Sequence, residues 1–296
     1  MREYDYVVVG HLTIDELWSD ASVELRLGGA ASYGSVYVSG LGLSSAVVTK
    51  VGEDFPKQYI EFLRSAGVDL SGLSKARYPT TRFRITLREA SVVASMVCRS
   101  DSLLVADVAP FRGRVIHLGP VAGEISVGVV LQAKENSEIL ALDLQGILRE
   151  VGTSGGLRLN PARLEPLRGI PLVAHANSTE AVAATGVEDP VSSAKILAKS
   201  FGIAAVTLGA EGAIVAGPEG TLRVSAVRLH NTVDDVGAGD VFTAALALAL
   251  AEGDSLKDAS KFASASAGAS TMFQGPSKIP ADLIWSLETR VNLTWI

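Results

Sequence analysis

Six short aliphatic runs constrain the fold more than any other feature: residues 6–10, 46–51, 115–118, 139–143, 171–174 and 203–208. Each has the length of a strand and little polar alternation, the profile of strands covered on both faces. Helical stretches lie between most of them, at residues 55–66, 191–201 and 254–273. Strands alternating with helices build βαβ units and a mostly parallel central sheet flanked by helices on both faces, an α/β fold. The 296 residues suffice for one large domain, and no linker or repeat divides them, so 1–296 is read as a single unit.

Two segments break this rhythm. Residues 16–27 are polar and strand-like, while residues 80–88 alternate charged with apolar groups. The chain then turns at Glu89-Ala90-Ser91 and returns through residues 92–98. A period of two marks strands with one wet face, here a small antiparallel sheet projecting from the main body. The competing reading is an edge hairpin that extends the main sheet.

The strongest chemical signal is Asp234-Asp235-Val236-Gly237-Ala238-Gly239-Asp240, followed by an uncharged run rich in Ala and Leu. Glycines opening a helix present free N–H groups where the helix dipole is positive, which suits an anion. Asp240 is either a first-turn cap or a base held beside that anion. Other chemistries find little support. The single Cys98 excludes an internal disulfide, and the four histidines lack metal-ligand spacing. A net charge of −6, spread singly, speaks against nucleic acid or an anionic membrane as partner. The charged N-terminus does not read as a signal peptide, and the longest apolar run is too short to span a bilayer, so a cytoplasmic protein is expected. Gly152-Thr153-Ser154-Gly155-Gly156 fits the serine-hydrolase Gly-x-Ser-x-Gly pattern, but its flanks do not read as strand and helix.

The Asp-x-x-Gly-Ala-Gly-Asp heptad resembles the C-terminal signature of the ribokinase-like (PfkB) carbohydrate kinases. Gly28-Gly29-Ala30-Ala31-Ser32, with Leu41-Gly42 and Val51-Gly52-Glu53-Asp54, resembles the N-terminal one. Two departures stand out: Tyr33 replaces a frequent Asn, and Lys57 replaces a glycine. The region of residues 115–149 is similar to archaeal members, some of which phosphorylate inositol. The resemblance implies a ribokinase-like fold in which residues 12–27 and 80–99 form a lid through which two copies could pair.

It also implies ATP-dependent phosphorylation of a small sugar or polyol, with Mg²⁺ and room for a monovalent cation. Asp240 would be the general base, with Gly237, Ala238 and Gly239 as anion hole. Asp15, Gly28, Gly29 and Tyr33 would hold the acceptor, with Asp143 and Arg149 on the same side. Asn177, Thr207, Gly209, Gly212, Ala263 and Ala267 fall where the family binds nucleotide, and Glu180 and Asp234 where cations gather. Two alternatives stay open: a nucleoside kinase of the same family, and a non-catalytic ligand-binding homologue.

Overall fold

The computed structural model describes residues 2–19, 22–88, 91–229 and 231–296. Its strands run β1 (Arg2–Val9), β2 (Thr13–Trp18), β3 (Val23–Gly28), β4 (Ser45–Val51), β5 (Asp69–Lys75), β6 (Arg82–Arg88), β7 (Ser91–Cys98) and β8 (Phe111–Leu118). The second half adds β9 (Ser137–Asp143), β10 (Arg149–Val151), β11 (Leu157–Leu159), β12 (Leu172–Asn177), β13 (Gly202–Thr207), β14 (Ala213–Gly217), β15 (Gly220–Val224) and β16 (Leu293–Trp295).

Ten strands form the central sheet in the order β16-β15-β14-β13-β12-β9-β8-β1-β4-β5. From β5 to β13 every neighbouring pair is parallel, and β14 to β16 continue antiparallel at one edge. All six aliphatic runs lie in the parallel part. Along β1 the side chains alternate between two cores: Tyr6 and Val8 enter one, Val7 and Val9 the other. Both faces are therefore dry, which is why the run is continuously apolar.

The chain leaves β1 in two directions. β4 and β5 lie on one side, and β8, β9, β12 and β13 on the other. Such a reversal opens a crevice at the carboxyl ends of the strands, where ligands bind in open α/β sheets. The helix Ala238–Glu252 points its N-terminus there and is buried continuously from Val241 to Ala249. An all-round apolar helix needs cover on every side. The sheet and the helices Ala30–Gly40 and Leu256–Ser270 supply it.

The lid is a separate four-stranded sheet, β3-β2-β6-β7, rather than an edge extension of the main one. It is two antiparallel hairpins, β2/β3 and β6/β7, joined by a parallel pairing of β2 with β6 that places Asp15 opposite Phe83. The parallel seam departs from a purely antiparallel expectation. Its cause is a shared joint, where the buried His11 ring holds the entries to both hairpins. His11 Nε2 donates to the Asp101 carbonyl at 2.9 Å, which leaves Nδ1 to accept from the Thr81 hydroxyl at 2.8 Å. Of the expected turn between β6 and β7, Glu89 and Ala90 lie outside the described residues.

The Gly-x-Ser-x-Gly stretch joins β10 to β11, with Gly155 N donating to the Gly152 carbonyl at 2.9 Å. The sequence reading gave no strand before it, and a three-residue strand is there. A strand also follows, so Ser154 stands on a hairpin turn rather than on a nucleophile elbow. Among the described residues no helix is long and apolar enough to cross a membrane.

Candidate active site

A cleft of about 1040 Å³ runs between the lid and the carboxyl ends of the strands. Its floor is the turn into the helix Ala238–Glu252. Gly237 adopts φ 82°, and a Cβ there would stand 2.1 Å from the Tyr33 ring. Only glycine meets both demands. Gly239 is as closely packed, since its Cβ would lie 2.9 Å from His175 Cε1. Gly237 and Gly239 have no acceptor for their N–H groups among the described residues, as expected where a helix begins. Ala238 differs: its amide lies 3.3 Å from the Asp235 carbonyl oxygen. Of the three amides expected to form an anion hole, those of Gly237 and Gly239 are thus free among the described residues, and that of Ala238 is engaged within the turn.

Asp240 follows in the first helical turn and faces the cleft. Burial pushes its carboxyl well above the usual carboxylate range, and the Asp143 charge adds to this. His175 and Arg149 pull the other way. A carboxylate with raised proton affinity is better matched to taking a proton from an alcohol near neutral pH.

At the lid end, Asp15 projects from β2 into the cleft. Its Oδ1 accepts from the Thr13 hydroxyl at 2.8 Å. Burial moves its pKa up to about 6, against the pull of Thr13 and Arg149. A Cβ at Gly28 would lie 2.0 Å from Asp15 Oδ2, so that glycine makes room for the carboxylate. Gly29, at φ 85°, caps the helix Ala30–Gly40 and packs on the His11 carbonyl. Arg149 donates to the Val121 carbonyl at 3.1 Å, and its guanidinium stands 5.6 Å from the Phe83 ring centroid. Burial lowers its pKa, against the opposing pull of Glu180, Glu124, Asp240 and Asp15. Phe83, Ile85 and Ala94 roof this end. The Tyr33 ring lines it too, and its hydroxyl has no protein hydrogen-bond partner among the described residues.

The other end is built from β12, β13 and the helix Leu256–Ser270. Asn177 and Glu180 cap the helix Ser178–Thr185 reciprocally, each side chain taking the other's amide at 2.9 Å. That uses Glu180 Oε2 and leaves Oε1 without a donor among the described residues. Thr207, Gly209 and Gly212 form the adjoining wall. Beyond them a slot beside the helix Leu256–Ser270 is lined by Val227, Leu229, Ser264, Ala267, Gly268 and Thr271, mostly small and apolar groups.

Three sequence expectations need correction. Ala263 is fully buried in the core and does not line the cleft. Ser264, Ala267, Gly268 and Thr271, spaced by three and four along one helix face, do. Asp143 lines the cleft but is only 4 % exposed, and its oxygens accept from His117, His175 and Thr243. Asp234, expected to hold a cation, instead anchors its loop: it accepts from Arg26 Nη1 at 3.2 Å, from Val236 N at 3.1 Å and from Gly275 N at 3.2 Å.

The sequence reading also missed residues. Gln145 and Phe83 line the acceptor end, and His175 supports the floor. The last had a signal: a histidine two positions before Asn177 in an otherwise apolar strand.

Residues 158–281 match the pfkB family carbohydrate kinase pattern. The cytidine kinase of Thermococcus kodakarensis is 25% identical over 266 residues, covering 86% of this chain and 91% of that protein. A pyrophosphate-dependent kinase in the ribokinase family, solved with a pyrophosphate analog and myo-inositol, superposes with a TM-score of 0.80 at 25% identity, over 92% of this chain and 96% of the other. The nucleoside kinase of Methanocaldococcus jannaschii shares the fold, with a TM-score of 0.73 at 17% identity over 97% of this chain and 98% of its own. The fold is ribokinase-like, and residues 158–281 carry the pattern of the pfkB family carbohydrate kinases.

Proposed function

We propose that the protein transfers the γ-phosphoryl group of ATP to a hydroxyl of a small polyol or sugar, inositol-like in its array of hydroxyls. The observation that carries this reading is the floor of the cleft: Asp240 stands beside two free amides, between the Asp15 end and the slot beside the helix Leu256–Ser270. Phosphoryl transfer asks chiefly for positioning and charge stabilisation, with a route for one proton.

Asp240 takes the proton of the attacking hydroxyl. The Gly237 and Gly239 amides stabilise charge on the transferred group. Asp15 accepts hydrogen bonds from the acceptor's hydroxyls, and Gln145, Arg149 and the Tyr33 hydroxyl complete a polar ring around it. The lid strands exclude water that would otherwise intercept the phosphoryl group.

The residues present also suit a nucleotide and magnesium. The slot lined by Val227, Leu229, Ala267 and Gly268 offers apolar surface for a base, which a bare pyrophosphate donor would not use. Glu180 Oε1 is free to hold magnesium through water, and one such carboxylate is enough. Magnesium, when bound, neutralises phosphate charge.

A second reading is a nucleoside acceptor. The apolar roof of Phe83, Ile85 and Ala94 could cover a base, and a cytidine kinase is among the similar proteins. Initial rates with ATP and Mg²⁺ against myo-inositol, ribose, phosphorylated hexoses, cytidine and adenosine separate the two. Polyol turnover at least tenfold above nucleoside turnover is expected, and the reverse order would favour the second reading. Hydrolysis of ATP unaffected by every acceptor would defeat both.

A further inference from the structure

Beneath the anion loop lies a buried polar network that the proposed chemistry does not yet use. Asp143, at the end of β9, accepts from His117 Nε2 at 2.8 Å and from His175 Nδ1 at 2.9 Å. The other nitrogen of His117 meets the Tyr6 hydroxyl at 2.6 Å. His175 Nε2 lies 3.1 Å from the Thr207 hydroxyl oxygen, and that hydroxyl's own hydrogen has the Ala176 carbonyl at 3.5 Å. The Thr243 hydroxyl is 2.9 Å from Asp143 Oδ1 and 3.0 Å from the Gly239 carbonyl oxygen. Strand pairing sets much of this, since His175 stands directly opposite Asp143 in the β9/β12 register.

Two features point upward from this network to the floor of the cleft. The His175 ring edge packs on Gly239, where even a methyl group would lie 2.9 Å from Cε1. The same ring stacks on Phe242, with centroids 6.3 Å apart. The first turn of the helix therefore rests on one imidazole, whose two nitrogens are held by two different strands. We propose that His175, clamped between Asp143 and Thr207, is a positioning residue that holds the Gly239 amide and the Asp240 carboxylate at their working separation. This inference rests on the kinase reading above.

Charge follows the geometry. Burial disfavours a protonated His175, yet its bond to Asp143 raises its proton affinity overall. For Asp143, burial would favour the neutral acid, but the two histidines hold it well below the usual range. An ionised carboxylate at this depth needs a cation beside it. Asp240 is faced by Asp143 and Glu180, by His175 and Arg149, and by the phenols of Tyr6 and Tyr33. Removing the imidazolium while keeping Asp143 must therefore raise the proton affinity of Asp240.

The test is His175→Phe, which keeps a stacked ring but neither nitrogen. Turnover should fall about 10- to 100-fold, with acceptor KM within about threefold. The acid limb of the kcat profile and the ¹³C titration of the Asp240 carboxyl should both move to higher pH. His175→Asn, which retains a donor toward Asp143, should recover part of the turnover. If His175→Phe does not fold, His175→Asn is judged by the same readouts against wild type. A folded variant with unchanged kcat and an unmoved Asp240 titration overturns the proposal, as does a defect confined to KM. A wild-type protein inactive on every acceptor would sink the kinase reading instead, and the carboxyl titration would still report on His175.

Discussion

Asp15 shows how one residue can serve a site at the expense of the fold. Its pKa is about 6 in the folded protein, against roughly 3.9 for an unperturbed Asp in the unfolded chain. The folded state thus binds the proton more tightly. The resulting stabilisation is complete below about pH 4 and is lost as pH rises through about 6. Asp15→Asn, which stays neutral throughout, should match wild type at pH 4 and exceed its stability by about 2 kcal/mol at pH 8. Denaturant titrations at the two pH values check this, and the same variant should lose acceptor turnover. Equal stabilities at pH 8 would show that the carboxylate is not desolvated. Ser154→Ala, on an exposed hairpin turn, should leave both activity and stability unchanged. Asp240 stood out because a carboxylate directly after a glycine turn is conspicuous in sequence, and Asp15 through the family resemblance of the stretch after the first strand. His175 and Gln145 did not, because the partners that give them meaning come from distant strands.

At the scale of elements, the turn Gly237–Gly239 is the most demanding piece. Gly237→Ala would place a methyl group into the Tyr33 ring at a φ of 82°, and Gly239→Ala would press on His175. Each should destabilise by about 1–3 kcal/mol. Each should also reduce kcat at least tenfold, which thermal melts and initial rates together would reveal. A variant that melts early yet turns over normally would mean that the loop's geometry is not used in chemistry. The parallel strands were legible element by element, since continuous aliphatic runs have few other uses. The helix at residues 256–270 was legible as a helix, but its facing was not. Ala263 and Ala267 look alike in sequence and stand one turn apart, yet one is fully buried and the other lines the cleft. The lid's parallel seam was hidden for a related reason, because it depends on a joint at His11 that lies outside both hairpins.

For the whole molecule, the sheet reversal beside β1 gathers the ends of β1, β8, β9, β12 and β13 at one crevice, and the small sheet borders it. That arrangement brings Asp15 and Asp240, 225 positions apart in the chain, to line a single cleft. The central claim is that Asp240 removes the acceptor's proton while the glycine amides hold the transferred group. Asp240→Asn keeps the shape of the side chain and removes its basicity. Turnover and ATP affinity of this variant, measured side by side with wild type on the best acceptor, test the claim most directly. The expected result is ATP binding within about threefold of wild type and turnover lower by about 10²–10⁴. Turnover equal to wild type would contradict it.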